Sequence, residues 1–187
     1  MMKKIDKKTF LTNADVEHYV QDILRQIALD GFKPDYVVGI TRGGVVPALM
    51  ISHYLNVPMQ TLKVSLRDNN DCETNCWMAE DAFGYIAYED QKTYKSRWDI
   101  DARKNILVVD DINDSGETIK WIKQDWQSSC MSNEEYAWMS IWDNTVKFAT
   151  IVNNEASDYK SVSYTGLEIN KLEDPTWIVF PWEEWWK

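Results

Sequence analysis

Along this chain the apolar residues change their spacing several times, and each change marks an element. After Thr12-Asn13-Ala14-Asp15, a cluster of the kind that starts helices, Val16, Tyr19, Val20, Ile23, Leu24 and Ile27 recur at helical spacing until Gly31 closes the run. Tyr36-Val37-Val38-Gly39-Ile40 is a continuous apolar run led in by Pro34-Asp35, the pattern of a short buried strand. Thr41-Arg42-Gly43-Gly44 is a tight loop, and 45–55 reads as a helix with Pro47 in its first turn, where a missing N–H costs little. Residues 58–66 return as a strand. From 67 to 105 the pattern fails: Asn, Asp, Cys and Tyr mix without a sustained period, with room for a short hairpin or helix near 78–88. A segment that long inside a domain is a functional lid or is unstructured. Beyond it the spacing predicts a strand at 106–110, a helix at 115–128, strands at 136–142 and 147–152, and a last apolar segment at 177–180.

Strands alternating with helices predict an α/β fold with a mainly parallel central sheet flanked by helices. In such sheets ligands bind outside the carboxyl ends of the strands. The loops at 39–44 and 110–118 both follow strands, so both are expected on one edge. The second carries the most chemistry. Ile106-Leu107-Val108-Val109 is followed by Asp110-Asp111-Ile112-Asn113-Asp114-Ser115-Gly116-Glu117-Thr118. Two carboxylates at a strand end offer acceptors to hydroxyls or a metal. A Ser-Gly-x-Thr turn opening a helix offers N–H groups and hydroxyls to an anion, where the helix dipole favours negative charge. A ligand carrying both a sugar diol and a phosphate fits that pairing. A receiver domain can also open with Leu-Val-Val-Asp-Asp, but too little chain follows Asp110 to build one, and the Ser-Gly-Glu-Thr turn would have no role in it.

The segment 106–118 resembles the ribose-5-phosphate-binding signature of type I phosphoribosyltransferases. The resemblance implies 5-phosphoribosyl 1-diphosphate and Mg²⁺ as substrate and cofactor. It implies that Asp110 and Asp111 hold the ribose hydroxyls and help to place the metal, and that Asp114 exchanges a proton with the base. Ser115, Gly116 and Thr118 would cradle the 5′-phosphate, with Glu117 of the same loop turned outward. Gly39-Ile40-Thr41-Arg42-Gly43-Gly44 resembles the family's diphosphate loop, which implies substrate contacts from Thr41, Arg42, Gly43 and Gly44 and a cis peptide at Thr41–Arg42. Arg67 falls where the family places a flexible catalytic loop, which implies a catalytic role, with Lys63 nearby. Residues 91–98 carry Lys92, Lys95 and Arg97 and no acid, the charge of a closing lid over a diphosphate or of an ordinary solvated loop.

The segment 174–183, Asp-Pro-Thr-Trp-Ile-Val-Phe-Pro-Trp-Glu, resembles the base-binding hood of 6-oxopurine phosphoribosyltransferases. It implies that Trp177 stacks on a purine and that the backbone of Ile178 reads the base edge. Packing in the core is the alternative for Trp177. These relatives carry a lysine for the purine 6-oxygen after the strand that follows the phosphate helix. Placed from Ser140-Ile141-Trp142, that position is Asn144, whose amide can donate to a 6-oxo group or accept from a 6-amino group. Lys147, three residues on, is the other candidate.

Composition narrows the partners. The chain has 187 residues and a formal net charge of -10, a poor balance for non-specific nucleic-acid binding, which needs clustered Lys and Arg. No apolar run has the length of a membrane span, and the basic start lacks the apolar stretch of a signal peptide, so no membrane partner and a cytoplasmic location are expected. Three cysteines do not form an even disulfide framework and read as free thiols. The ten tryptophans read mostly as core and interface packing. The expected organisation is one domain, 1–187, with a lid or insertion at 67–103 and a hood at 166–187, assembling as a homodimer or homotetramer. The expected activity is transfer of a phosphoribosyl group to a purine base, a 6-oxopurine, in purine salvage. The alternatives are a regulatory sensor on the same fold and a transferase for another acceptor.

Overall fold

The computed structural model describes residues 7–66, 71–86, 98–130 and 135–186. In chain order the elements are β1 (Lys8–Phe10), α1 (Asn13–Asp30), β2 (Tyr36–Thr41), α2 (Val45–Leu55), β3 (Met59–Ser65), β4 (Asp71–Cys72), α3 (Cys76–Phe83), β5 (Ile106–Asn113), α4 (Glu117–Ser129), α5 (Glu135–Met139), β6 (Val146–Asn154), β7 (Tyr164–Ile169) and β8 (Trp177–Val179). The first helix begins where its capping chemistry dictates. The Thr12 hydroxyl accepts from the Asp15 N–H at 3.1 Å, and the Asp15 carboxylate accepts from the Thr12 N–H at 2.7 Å. Gly31, left-handed at φ 71°, ends it.

The main sheet runs β4-β3-β2-β5-β6-β7, with β4 antiparallel and the other five strands parallel. From β2 the chain crosses to one side, to β3. From β5 it crosses to the other, to β6. The connections therefore diverge between β2 and β5, and that divergence opens a crevice at their carboxyl ends. Both faces of the sheet are covered, which is why the central strands are apolar without alternation. Val38, Ile40, Ile106, Val108 and Phe148 pack toward α3 and α4. Val37, Leu107, Val109 and Ile151 pack toward α1 and α2. Burying each such side chain stabilises the fold by about 1.5–3 kcal/mol, so the strand ends that carry the polar loops stand on a rigid base.

Three expectations change. Residues 136–142 are not a strand: α5 and a turn occupy them, because Trp138, Ile141 and Trp142 sit three and four apart and bury together on one helical side. The Trp138 and Trp142 rings stack at 5.1 Å, and the Trp138 indole N–H donates to the Cys130 carbonyl at 3.1 Å. The strand expected at 147–152 runs from 146 to 154, and β7 follows it where no strand was expected. β5 extends past Asp110 to Asn113, because β6 continues to pair with it through Asp110–Thr150, Ile112–Val152 and Asn113–Asn153. Within 67–105, β4 and α3 are described. Arg67, Lys92, Lys95 and Arg97, the cationic groups expected at a lid, lie outside the described residues.

A second, two-stranded sheet pairs β1 with β8 in parallel, with Thr9 opposite Ile178. It joins the two ends of the described chain. The Trp177 N–H donates to the Lys7 carbonyl at 2.9 Å, and the Thr9 and Thr176 hydroxyls share a 2.9 Å hydrogen bond. Ile178 and Phe180 are buried in the α1–α2 core, which anchors the hood beside the carboxyl edge of the main sheet.

Candidate active site

The crevice is a cavity of about 1120 Å³. Thr41, Arg42 and Gly43 line it from the loop after β2, residues 110–118 from β5 and its loop, and Trp177 and Ile178 from the hood. The two loops expected on one edge are in direct contact there. The Thr41–Arg42 peptide is cis. A Cβ on Gly44 would lie 2.3 Å from the Val109 carbonyl oxygen and 2.9 Å from the Cα of Asp110, so the first loop rests on β5 only because it has no side chain there. Gly43 faces the Asp111 carboxylate in the same way. Arg42 is exposed at the cavity mouth, and Lys63 lines it from the end of β3.

Asp110 and Asp111 are half-buried at the rim. One oxygen of each is held by the backbone: Asp110 accepts from the Asp111 N–H at 3.0 Å, and Asp111 from the Ile112 N–H at 2.8 Å. Two adjacent carboxylates opening on a cavity suit magnesium, which takes hard oxygen ligands from one or two carboxylates and completes its shell with water and substrate oxygens. Among the described residues no group of three or more His, Cys, Asp or Glu stands together as an all-protein cage.

The loop from 114 to 116 turns the chain from β5 into α4. Gly116 is left-handed at φ 88°, and a Cβ there would fall 2.6 Å from the Tyr159 nitrogen and 2.9 Å from Ser157 Oγ. Conformation and space both demand glycine. Gly116 offers α4 no side-chain cap, the Glu117 N–H reaches Ser115 Oγ only at a long 3.4 Å, and residues 115–118 line the cavity at the start of the helix. Glu117 turns away: its carboxylate pairs with Lys120 at 3.1 Å and holds that ammonium above its usual range. A buried polar clamp fixes the loop from behind. Asn113 Nδ2 donates to Asn153 Oδ1 at 2.8 Å and to the Tyr159 carbonyl at 3.0 Å, while its Oδ1 accepts from the Ser157 hydroxyl at 3.0 Å. The Asp158 N–H donates to the Ser115 carbonyl at 3.1 Å.

At the hood, Trp177 is partly exposed toward the cavity while its neighbours Ile178 and Val179 are buried. Trp177 and Val179 use their backbone groups on β1, so the N–H and C=O of Ile178 point to the edge of β8 that carries no strand. Lys171, in the turn after β7, lines the cavity as well. Its ammonium lies 2.9 Å from Asp114 Oδ1 and 5.9 Å from the Trp177 ring centroid.

Of the expected site residues, Thr41, Arg42, Gly43, Asp110, Asp111, Asp114, Ser115, Gly116, Glu117, Thr118, Trp177 and Ile178 all line this one cavity, and Gly44 packs beneath it. Asn144 does not belong to the group. It sits in the turn before β6, at the amino end of the sheet, where its amide donates to the Ser140 carbonyl at 3.2 Å. Lys147, the second residue of β6, is ion-paired with Asp30 at the same far end. Both were misplaced by taking 136–142 as the strand. The real end of β6 is Asn154, which is buried and donates to the Asp114 carbonyl at 2.9 Å. Sequence reasoning missed Lys171, which lines the cavity, and Asn153, Asn154 and Ser157, which hold residues 113 and 114 from behind. The adjacent asparagines at a strand end were the available signal.

The chain is thus a doubly wound α/β protein with its ligand cavity at the switch point of a parallel sheet. The family model described as "Phosphoribosyl transferase domain" matches residues 7–187, and the chain belongs to that family. It is 28% identical over 160 residues to the xanthine-guanine phosphoribosyltransferase of Cereibacter sphaeroides, covering 83% of this chain and 75% of the relative. It is 18% identical over 190 residues to xanthine phosphoribosyltransferase 1 of Saccharomyces cerevisiae, covering 95% and 90%. The crystal structure of the purine phosphoribosyltransferase from Pyrococcus horikoshii superposes with a TM-score of 0.61 at 20% identity over 95% of both chains, which establishes the shared fold.

Proposed function

We propose that the protein transfers the phosphoribosyl group of 5-phosphoribosyl 1-diphosphate to a purine base, a 6-oxopurine, yielding a nucleoside monophosphate and diphosphate in purine salvage. The observation that carries this reading is a single cavity bounded by the N-terminus of α4, the Asp110–Asp111 pair and the ring of Trp177. A 5′-phosphate, a ribose diol and a flat base need those three surfaces in that order. The xanthine-guanine relatives support a 6-oxopurine as acceptor.

In this reading Ser115, Gly116 and Thr118 bind the 5′-phosphate through N–H and hydroxyl donors, each charge-assisted bond contributing about 1.5–3 kcal/mol. Asp110 and Asp111 accept from the ribose hydroxyls. Their negative charge stabilises the cationic character that develops at C1′ as its bond to diphosphate breaks and the bond to the base nitrogen forms. Asp110 and Asp111 would hold magnesium, which would supply positive charge for the diphosphate oxygens. Thr41, Arg42, Gly43 and Gly44 bind the diphosphate, and Arg67 is the catalytic cation that serves it. Trp177 stacks on the base, an interaction of about 1–3 kcal/mol, and Ile178 reads its edge. Asp114 takes the proton the base loses. The protein acts in the cytoplasm as one domain with its hood at 166–187, in a homodimer or homotetramer.

The test is to mix protein, Mg²⁺ and 5-phosphoribosyl 1-diphosphate with hypoxanthine, guanine, xanthine or adenine and follow nucleotide formation. Turnover with at least one 6-oxopurine is expected. A folded protein that turns over none of the four contradicts the proposal.

A further inference from the structure

We infer that Cys76 and Cys130 are a thiol–disulfide couple that, when oxidised, staples α3 to the C-terminal end of α4. The inference stands apart from the transfer reading and uses none of the cavity residues. Cys76 is the first residue of α3 and is exposed, while Cys130 follows the last residue of α4 and is buried; both are free thiols in the structure. Two contacts hold the helix ends together. The Asn75 N–H donates to Asp125 Oδ2 at 3.2 Å, and the Cys76 thiol donates to the Ser129 carbonyl at 3.8 Å. A third fixes the backbone of the second cysteine, whose carbonyl accepts from the Trp138 indole at 3.1 Å. Ser129 and Cys130 are joined by a trans peptide, in which the carbonyl oxygen is about 2.8 Å from the next Cα. The Cys76 sulfur therefore lies within about 6.6 Å of the Cys130 Cα. Disulfide-linked Cα atoms stand about 4.4–6.8 Å apart, and each cysteine has one torsion, χ1, with which to close the remaining distance.

The exchange needs one external reagent, a low-molecular-weight disulfide. The exposed Cys76 thiol loses its proton and attacks that disulfide, forming a mixed disulfide and releasing one thiolate, which is protonated. Cys130 then loses its proton and attacks the Cys76 sulfur, expelling the second thiolate, which is protonated in turn. Two protein thiols are oxidised and one small disulfide is reduced to two thiols. Cys130 never meets the external reagent, so its burial is no obstacle. Burial first, then Glu80 of α3 and, for Cys76, Asp125 of α4, hold both thiols above their ordinary range, with Cys130 pushed up to about 12. Both are protonated at neutral pH, and the exchange quickens as pH rises. Cys72, in β4, packs against the core and remains the odd thiol. The bond closes the chain between 76 and 130 into a loop, which restricts the unfolded state. It also fastens part of the 67–103 segment to the helix that starts at the 114–116 turn.

The experiment incubates the full chain with oxidised glutathione in mildly alkaline buffer. Free thiols are counted after denaturation, the cross-link is mapped in unreduced peptides by mass spectrometry, and the melting temperature and the amide exchange of α3 are recorded. Wild type is compared with Cys72→Ser and Cys76→Ser. Wild type is expected to fall from three free thiols to one, and Cys72→Ser from two to none, with the Cys76 peptide joined to the Cys130 peptide. Oxidised Cys72→Ser should melt about 5 °C or more above its reduced form. Amide exchange across 76–83 should slow by about tenfold or more. Dithiothreitol should reverse both changes, and Cys76→Ser should form no cross-link and show neither. Three thiols left in wild type overturn the inference. So does a glutathione adduct at Cys76 that Cys130 does not resolve, or a bond mapped to Cys72–Cys76 or between two chains. None of these readouts measures nucleotide formation, so their failure leaves the transfer reading standing.

Discussion

Gly43 and Asp111 approach so closely that a Cβ on Gly43 would stand 1.8 Å from Asp111 Oδ2. The loop after β2 and the carboxylate pair of β5 are thereby parts of one surface. In Gly43→Ala the carboxylate or the loop must shift. Overpacking of this kind costs about 1–3 kcal/mol, and here the cost falls on the substrate site. The expected result is a rise in the KM for 5-phosphoribosyl 1-diphosphate of about tenfold or more with a modest loss of melting temperature, read by initial-rate kinetics and thermal denaturation.

Asn113 makes three hydrogen bonds within the clamp behind the 114–118 loop. Asn113→Ala removes them, takes the Asn113 donor from the Tyr159 carbonyl and leaves the Ser157 hydroxyl, which still accepts from the Tyr159 N–H at 3.2 Å, without its acceptor. Unsatisfied buried groups cost about 1–3 kcal/mol each. The variant should lose about 2 kcal/mol or more in urea denaturation, and its affinity for a nucleoside monophosphate should fall as the loop loses its support.

Thr150 lies opposite Asp110 in the sheet, is buried, and its hydroxyl has no hydrogen-bond partner among the described residues. Replacing an orphaned buried hydroxyl by a methyl of similar shape is neutral or stabilising. Thr150→Val should therefore melt at the same temperature as wild type or higher, by up to about 1 kcal/mol of stability. A clear destabilisation would show that the hydroxyl has a partner in solution.

How much of this was legible in the sequence depended on whether a local pattern carried it. The β2–loop–α2 and β5–loop–α4 units were readable because each continuous apolar run gives way within a few residues to a short polar loop that carries glycine and opens a helix. The Trp138, Ile141 and Trp142 spacing fits a strand or a helix in so short a run, and only burial against Cys130 and Phe148 decides it. β7 is an edge strand, half-exposed along most of its length, and shows no clean alternation. Lys171 follows it in an irregular turn, and its meeting with Asp114 is made by the tertiary fold, through Asn154.

The Asp30–Lys147 pair separates the far end of the sheet from the site. Hydrogen bonds from Lys147 and then from Tyr164 hold the Asp30 carboxyl below its ordinary value of 3.8. A depressed carboxyl stabilises the fold above its unfolded pKa, and that contribution disappears as pH falls through the folded one. Asp30→Asn should melt below wild type at neutral pH. The gap should close as pH falls below about 3.8. Base preference should be untouched, because Lys147 takes no part in the cavity.

The most direct measurement of the central claim is a crystal structure with bound guanosine monophosphate. Its phosphate is expected against Ser115, Gly116 and Thr118 at the start of α4, its ribose hydroxyls at Asp110 and Asp111, and its base beneath Trp177. A phosphate bound away from residues 114–118, or a base outside the hood, would contradict the account.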